Sequence, residues 1–184
     1  MSTRSTIAIR NLDGSMEKIY CHWDGYIEHN GVILQKYYNT PDKIRELLAL
    51  GNISSLNKNV NPTTDTHSFD HPEADVVVAY HRDRGEEFGT AMPDQLEEFN
   101  YVFNMFDGVW YVTYYEDYPD TEAKRFLDLD YVGVQTEKLL LDAILNRNDR
   151  YVDKQTKEDC MVKAKIGKEK ADKMRDEYWN TPRF

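Results

Sequence analysis

The chain is organised around the stretch Ile19-Tyr20-Cys21-His22-Trp23-Asp24-Gly25-Tyr26, where side chains suited to chemistry are most densely packed. Alternation of apolar and polar residues up to Trp23 predicts a β-strand, and Asp24-Gly25 predicts the turn that ends it. Side chains alternate between the two faces of a strand. Cys21 and Trp23 are therefore predicted on the buried face and His22 on the opposite face.

Two β-hairpins are predicted from alternating segments joined by an Asp-Gly pair. The first joins residues 6–10 to residues 16–23 through Asp13-Gly14, and the second joins residues 99–106 to residues 109–116 through Asp107-Gly108. Asp-Gly between two strands is the usual signal for a two-residue type I′ turn. Both connections are therefore predicted to be two-residue turns.

The remaining elements are predicted from their caps and their periodicity. Thr40 before Pro41, with Gly51 just past the last apolar residue, predicts a helix over residues 41–50. Further helices are predicted over residues 30–38, 136–146 and 156–179, and further strands over residues 75–80 and 125–129. The strand over residues 75–80 is rich in β-branched residues, which predicts a central position in the sheet.

We therefore predict an α+β fold: a mostly antiparallel sheet built from two hairpins plus a central strand, with helices on one face. Residues 1–132 are predicted as the core domain and residues 133–184 as C-terminal helices. The last helix carries a narrow seam, with steps of four and three residues, formed by Cys160, Ala164, Gly167, Ala171, Met174 and Tyr178. Such a seam packs either on the body of the protein or on a second copy, so a homo-oligomer through residues 156–179 is one expectation. An ion pair between Glu169 and Lys173 is also predicted.

Composition limits the class of protein. The chain has 184 residues, 40% of them hydrophobic, and contains neither a membrane-spanning apolar run nor the apolar core of a signal peptide. Its two cysteines, Cys21 and Cys160, are too far apart for a zinc cluster or a disulfide framework. We expect a cytoplasmic protein with reduced thiols and without a membrane partner.

The net charge of −10 is concentrated in one part of the chain. Residues 85–130 contain twelve Asp and Glu against two basic residues, whereas residues 151–184 carry nine Lys and Arg against seven acids. An acidic surface repels nucleic acid and attracts basic protein surfaces, so direct nucleic-acid binding is not expected. The alternative is an acidic face that only keeps the protein soluble.

Six short segments form one pattern: residues 19–26, Gly31, residues 38–41, 47–51 and 54–56, and the stretch Tyr80-His81-Arg82-Asp83-Arg84-Gly85-Glu86. Together they resemble a family of small proteins encoded by bacteriophages and prophages. The resemblance covers roughly residues 3–115 and supplies no established activity or catalytic residue. It implies a phage product in the cytoplasm of a bacterial host, of the accessory kind that often acts on host proteins.

One chemical hypothesis combines the two ends of this pattern into a metal site. Its candidate ligands are His22, Asp24, Tyr26, His81, Asp83 and Glu86. Imidazole and carboxylate groups bind divalent metals, and a metal-bound water can hydrolyse a phosphodiester. The hypothesis requires the strand before His22 and the strand over residues 75–80 to be neighbours. The alternative is a set of ion-paired residues at strand ends, because Arg82 and Arg84 oppose a bound cation.

Other catalytic chemistries have no motif in this sequence. There is no nucleophile elbow, phosphate loop or dinucleotide fingerprint. Cys21 lies on the predicted apolar face, where a thiol behaves as a small hydrophobic group. No catalytic residue is therefore assigned, and no cofactor is expected beyond the metal of the hypothesis above.

The second hypothesis is a protein-binding surface that combines acidic and aromatic side chains. Its candidate residues are Glu97, Glu98, Tyr114, Tyr115, Glu116, Asp117 and Tyr118. Tyr and Trp are enriched in interface hot spots because they bury a large area and keep a polar group. The alternative is that these aromatics fill the core, which we predict for Trp23 and Trp110.

Three functions are consistent with the sequence. The favoured one is a phage accessory protein that binds and modulates a host macromolecule, either a defence protein or a nucleic-acid-processing protein, through the acidic, aromatic surface. The second is a metal-assisted hydrolase or phosphodiesterase. The third is a minor structural component of the phage particle.

Overall fold

The computed structural model describes residues 2–114 and 136–182 of the chain. The predicted strand over residues 125–129 lies outside these ranges, as do the candidate binding residues Tyr115, Glu116, Asp117 and Tyr118. No helix within the described ranges is long and apolar enough to cross a membrane.

The first predicted hairpin forms. β1 (Ser5–Arg10) and β2 (Met16–Cys21) pair antiparallel along their whole length. The predicted two-residue turn is wrong, because Gly14 has a positive φ of 86° and Asp13 does not. A type I′ turn requires positive φ at both positions. The carboxylate of Asp13 instead accepts hydrogen bonds from the amide and hydroxyl of Ser15, which closes a wider loop.

The sheet is mixed, which corrects the prediction of a mostly antiparallel sheet. β5 (Phe99–Asn104) and β6 (Val109–Tyr114) form the second hairpin, where the predicted two-residue turn is also wrong because Gly108 but not Asp107 has a positive φ. The two hairpins join through β1 and β5, which run parallel in register from Ser5↔Phe99 to Arg10↔Asn104. Within the described residues the seven strands are ordered β4 (Val78–Ala79), β3 (Ile53–Ser55), β2, β1, β5, β6 and β7 (Thr136–Leu139). Sequence pattern shows each hairpin by itself but carries no signal for how one hairpin docks on another.

The predicted central strand over residues 75–80 is wrong in length and position. β3 (Ile53–Ser55) runs parallel to β2, and β4 (Val78–Ala79) pairs with β3 at the edge of the sheet. The chain then turns at once into helix α3 (Tyr80–Arg84). The valines before β4 are buried because a long loop folds over them, with Val77 N–H donating to Asn59 O at 2.9 Å.

Apart from α3, which was not predicted, the helices follow the predicted pattern with one exception. α1 (Val32–Tyr37), preceded by a π-helical turn at Ile27–Gly31, and α2 (Pro41–Leu48) lie where helices were predicted. The predicted helix over residues 136–146 is divided into β7 (Thr136–Leu139), which pairs with β6, and α4 (Leu140–Leu145). Pairing with the exposed edge of β6 overrides the helical preference of these residues.

The hydrophobic core lies on one face of the sheet. Alternate residues of the strands, such as Ile7, Ile19 and Trp110, form one cluster with Leu47 of α2 and Ile144 of α4. Trp110 is buried, as predicted, and its indole N–H donates to Tyr38 O at 2.9 Å.

The long C-terminal helix α5 (Lys154–Asn180) packs its small-residue seam on the body of the protein. A Cβ on Gly167 would lie 2.1 Å from Asn39 O, and a Cβ on Gly108 would lie 2.8 Å from the Cβ of Ala171. Asn39 also donates to Lys163 O at 2.8 Å. The seam is therefore occupied within the chain. The predicted ion pair between Glu169 and Lys173 does not form, since neither residue is in an ion pair in the described chain.

Candidate functional site

His22 lies just past the end of β2, beside two aromatic side chains. Its Nδ1 is 2.8 Å from the hydroxyl of Tyr20, and its ring meets Trp23 edge to face at 4.7 Å between centroids. Trp23 is 45% exposed, so its predicted place in the core is wrong. The strand alternation ends at Cys21, and the following turn redirects the indole to the surface.

The Asp24-Gly25 turn packs closely against the residues at the start of β1. Asp24 has a positive φ of 54°, which Asp adopts more readily than most residues. Gly25 is required by space, because a Cβ would lie 2.7 Å from Arg4 O. The amide of Gly25 also donates a hydrogen bond to Thr3 O, and its carbonyl oxygen accepts one from the hydroxyl of Tyr101.

Tyr26 follows this turn at the surface. Partial burial raises the pKa of the Tyr26 hydroxyl, and the charge of the Asp24 carboxylate and a hydrogen bond to it raise the pKa further. Tyr26 and Asp24 therefore lie together, and the Tyr26 ring is 6.0 Å from that of His29.

His81 and Glu86 lie together at the end of α3, but not through the carboxylate. The contact joins His81 Nδ1 to the main-chain oxygen of Glu86 at 2.7 Å. A carbonyl oxygen only accepts hydrogen bonds, so Nδ1 carries the proton. The Glu86 carboxylate instead pairs with Arg84 at 3.2 Å.

Asp83 belongs to a buried network that sequence reasoning missed. Its carboxylate lies 3.2 Å from His67 Nε2, and the exposed fractions of these two side chains are 3% and 2%. Arg82 donates to both carboxylate oxygens, at 2.6 and 2.9 Å, and the amide of Ala79 donates at 2.7 Å. Arg82 also donates to Val60 O and Val77 O, so the network joins the long loop to α3.

The hydrogen bonds fix the form of His67. Its Nδ1 accepts from the amide of Glu73 at 3.0 Å and therefore carries no proton. Nε2 then carries the proton and donates a hydrogen bond to Asp83. The 3.3 Å contact between Nε2 and the Arg82 guanidinium joins two donors and is therefore not a hydrogen bond. Burial by itself would raise the pKa of Asp83, but the hydrogen bonds from Arg82, Ala79 and His67 outweigh it and lower the pKa overall. Both ring nitrogens of His67 are occupied, so this buried pair is structural.

The geometry on which the metal hypothesis depended is absent. β3 lies between β2 and β4, so the ends that carry His22 and His81 are not on neighbouring strands. His81 and Asp83 also lie on a helix and not on one strand face. Within residues 2–114 and 136–182, no three His, Cys, Asp or Glu side chains are placed to hold a metal ion.

The described acidic and aromatic candidates have partners inside the chain. Glu98 accepts from the amide of Arg4 at 3.0 Å, and Glu97 accepts from Gln95 at 2.9 Å. The ring of Tyr114 stacks on Phe99 at 5.4 Å and has Lys138 and Arg147 near its faces. Tyr114 is therefore a half-buried packing residue, whereas the two glutamates belong to the segment described next.

The acidic strap, which we define as residues 86–98, lies against the face of the sheet to which Lys18 points, opposite the core face of Ile19 and Cys21. Phe88, Met92 and Leu96 are 50%, 65% and 57% exposed on it. The strap contains five carboxylates and no Lys or Arg. It is the longest irregular segment within the described ranges that combines exposed large apolar side chains with acidic ones.

The strap is held firmly although its side chains are exposed. The carbonyl oxygen of Gly89 accepts a hydrogen bond from the amide of Asn52, and the amide of Ala91 donates one to Lys18 O at 3.0 Å. The buried ammonium of Lys18 donates to Pro93 O at 2.6 Å and to Gln95 O at 3.1 Å. Backbone bonds thus fix a segment that lacks regular structure.

Sequence reasoning noted the acids of the strap but missed its apolar residues. The available signal was an apolar residue at every fourth position in a segment whose Gly and Pro exclude a helix. Such spacing excludes the buried face of a helix, but it does not by itself show that these side chains are exposed.

Comparisons of this chain with known proteins found no relative. Neither protein-family models, nor curated proteins, nor solved structures match this chain.

Proposed function

We propose that this chain is a phage accessory protein that binds and modulates a host protein through the acidic strap. The observation that supports the proposal is the outward display of Phe88, Met92 and Leu96 on a segment held by its own main chain. Met and aromatic residues are enriched at the centres of protein interfaces. Exposed apolar side chains grouped on one segment are typical of a binding surface.

Fixing the strap before binding favours affinity. A flexible segment loses conformational entropy when it binds, at about 1–2 kcal/mol for each residue whose main chain becomes ordered. The bonds from Lys18 to Pro93 O and Gln95 O restrict the strap in the free protein. Less entropy is therefore lost when a partner packs on Met92 and Leu96.

The charge of the strap indicates the kind of partner. Its five carboxylates flank the apolar side chains in sequence, and the segment contains no Lys or Arg. Glu86 and Glu98 pair with Arg84 and Arg4 outside the segment, so the charges that remain for a partner are mainly those of Glu87, Asp94 and Glu97. A complementary surface has an apolar centre and a rim of Lys and Arg. Nucleic acid has the same sign of charge as the strap, so a basic protein, such as a defence or nucleic-acid-processing protein of the host, is the expected partner.

The phage and host context of the proposal comes from the family resemblance of residues 19–26 and 80–86. The structure explains much of that pattern by packing, through Gly25 and Asp83, and the strap begins where the pattern ends. In this proposal the resembling segments build the fold, and the strap carries the binding.

The test is affinity capture from a lysate of the bacterial host with the full-length protein. The variant is Met92→Ser with Leu96→Ser, and the matched control is Tyr151→Ser, which removes a side chain that is 68% exposed outside the strap. We expect a host protein that is retained at low salt by the wild type and the control. Its recovery should fall about tenfold with the double variant, as for loss of an interface hot spot.

Salt provides a second criterion, because attraction between exposed charges is screened. Retention should weaken as ionic strength rises, and Glu87→Gln with Asp94→Gln should reduce that dependence. Recovery of the same proteins by wild type and strap variant, or no retained protein at low salt, would contradict the proposal.

A further inference from the structure

The side-chain amide of Gln35 is buried in helix α1 without a hydrogen-bond partner. Gln35 is 3% exposed, and within residues 2–114 and 136–182 its side chain makes no hydrogen bond. By contrast, the buried amides of Asn30, Asn39 and Asn100 each donate to another group of the chain. Burying an amide without partners is unfavourable, so the unused donor and acceptor of Gln35 need an explanation.

Gln35 lines a cavity of about 90 Å³ between α1, α5, α4 and the second hairpin. The cavity forms where the seam of α5 faces the hairpin, because Ala164 and Gly167 supply almost no side chain there. A cavity of about 150 Å³ holds benzene, so about 90 Å³ suits a molecule of about three to five non-hydrogen atoms. The larger lining side chains are mainly apolar: Phe103, Val109, Trp110, Leu139 and Leu141.

The cavity reaches the surface beside Leu139 and Asp142. Both residues line it, and both are exposed. A carboxylate at the entrance repels anions and favours neutral or cationic molecules. The entrance therefore limits the charge of a molecule that can enter.

The polar atoms that a ligand can use inside the cavity belong to Gln35. The indole N–H of Trp110 donates to Tyr38 O at 2.9 Å, and the side-chain nitrogen of Asn39 donates to Lys163 O at 2.8 Å. Gln35 supplies one acceptor oxygen and one NH₂ donor. Apolar walls with a few placed polar groups are the usual composition of a small-molecule site.

We propose that this cavity binds a short aliphatic primary amide, with Gln35 as its polar contact. A primary amide accepts from Nε2 of Gln35 and donates to Oε1, so one ligand satisfies both groups. An alcohol of the same length offers a single oxygen in place of the separate donor and acceptor. A carboxylate has no donor and is repelled by Asp142.

The alkyl part of the ligand packs against the rings of Phe103 and Trp110, which removes its apolar surface from water. The site is independent of the proposed function of the acidic strap, because none of its lining residues belongs to residues 86–98.

An NMR titration of the full-length protein with propionamide tests the proposal, with 1-propanol and propionate as probes of matched size. We expect saturable shifts of the Trp110 indole and Gln35 side-chain signals, with a millimolar Kd because the ligand has few atoms. Propionate should bind most weakly of the three probes. Gln35→Leu should weaken propionamide binding about tenfold, as for loss of a buried hydrogen-bond pair.

Two further variants locate the binding. Ala164→Leu fills the cavity and should abolish the shifts. The matched control is Gln155→Leu, the same substitution as at Gln35 but at an exposed position of α5, and it should leave propionamide binding unchanged.

Stability distinguishes a ligand contact from a structural amide. Gln35→Leu removes a buried polar group that has no partner in the described chain, so the midpoint of urea unfolding should stay the same or rise. Asn30→Leu removes a buried amide that donates to Ser5 Oγ at 3.2 Å and to Trp23 O at 3.3 Å, so its midpoint should fall.

Propionamide that gives no saturable shift would overturn the proposal, and a cavity that holds only water would give this result. So would propionamide binding that Gln35→Leu leaves unchanged, or propionate that binds as tightly as propionamide. A Gln35→Leu midpoint as low as that of Asn30→Leu would show instead that the amide of Gln35 is structural.

Discussion

Helix α3 and the acidic strap are adjacent in sequence and use their side chains in opposite ways. α3 carries the charged stretch that looks most like a site, yet Asp83 and Arg82 direct their polar atoms inward to His67 and to main-chain carbonyls. The strap directs its main chain inward and exposes Phe88 and Met92.

The difference shows what a dense cluster of charged and aromatic residues indicates in this chain. The long loop after β3 has few apolar residues, so a buried polar network must hold it in place. Buried polar groups need several specific partners, and this requirement fixes residue types at fixed spacings. A binding surface has no such internal requirement, and its residues stand out only by their exposure.

The largest effect is expected from Asp83→Ala, which breaks the network. It leaves the Arg82 guanidinium, the His67 N–H and the Ala79 amide without their acceptor. Removing one member of a buried ionic network typically lowers the free energy of unfolding by about 3–5 kcal/mol. Urea denaturation followed by circular dichroism measures it.

The control for that substitution is at a residue of the strap, four positions further along the chain. Glu87→Ala removes an exposed carboxylate and should change the free energy of unfolding by less than about 0.5 kcal/mol. Equal effects of the two substitutions would mean that α3 and the strap do not differ in the way described here.

Local chemistry made part of the fold predictable. The two hairpins and helix α2 follow from alternation, Asp-Gly pairs and the Pro41 start, all of which act within a few residues. The parallel contact of β1 with β5 and the edge position of β4 depend on contacts between distant segments. The pairing of Thr136–Leu139 with β6 likewise overrides the local preference for helix.

The candidate site was less predictable for the same reason. His22 and His81 are strong chemical signals in the sequence, but only the strand order shows that β3 separates their strands. His67 gave no signal, since its partner Asp83 is sixteen residues away across a loop. Exposure of Met92 and Leu96 depends on which sheet face the strap crosses, which no local pattern encodes.

The next largest loss of stability is expected from replacing Gly25, and Gly85 provides the comparison; both glycines lie in segments that carry the family resemblance. Gly25→Ala places a Cβ 2.7 Å from Arg4 O, so β1 must shift, and we expect a loss of about 2–3 kcal/mol in unfolding free energy. Gly85→Ala has free space but a φ of 73°, so we expect a loss of about 1 kcal/mol. Thermal and urea denaturation of both variants give the ranking, and a larger loss for Gly85→Ala would contradict the packing role of Gly25.

A smaller effect is expected in the pH dependence of stability. The pKa of Asp83 is lowered in the folded protein, so its contribution is present above the ordinary Asp pKa of about 4 and is lost as pH falls through the lowered value. The difference in unfolding free energy between wild type and Asp83→Asn should therefore be constant near neutral pH and should narrow below about pH 4. A difference that stays constant down to strongly acidic pH would show that Asp83 is not held as a carboxylate.

The smallest effect on stability is expected in the strap itself. Met92→Ser with Leu96→Ser removes side chains that are 65% and 57% exposed, so the free energy of unfolding should change by less than about 0.5 kcal/mol. The main-chain bonds from Lys18 and Ala91 remain, and hydrogen exchange at the Ala91 amide should be unchanged. If stability and exchange are unchanged, loss of a partner by the same variant can be attributed to the missing apolar contacts and not to a change in fold. A variant that exchanged faster at Ala91 would show that Met92 and Leu96 hold the strap in place, and α3 and the strap would then both be structural.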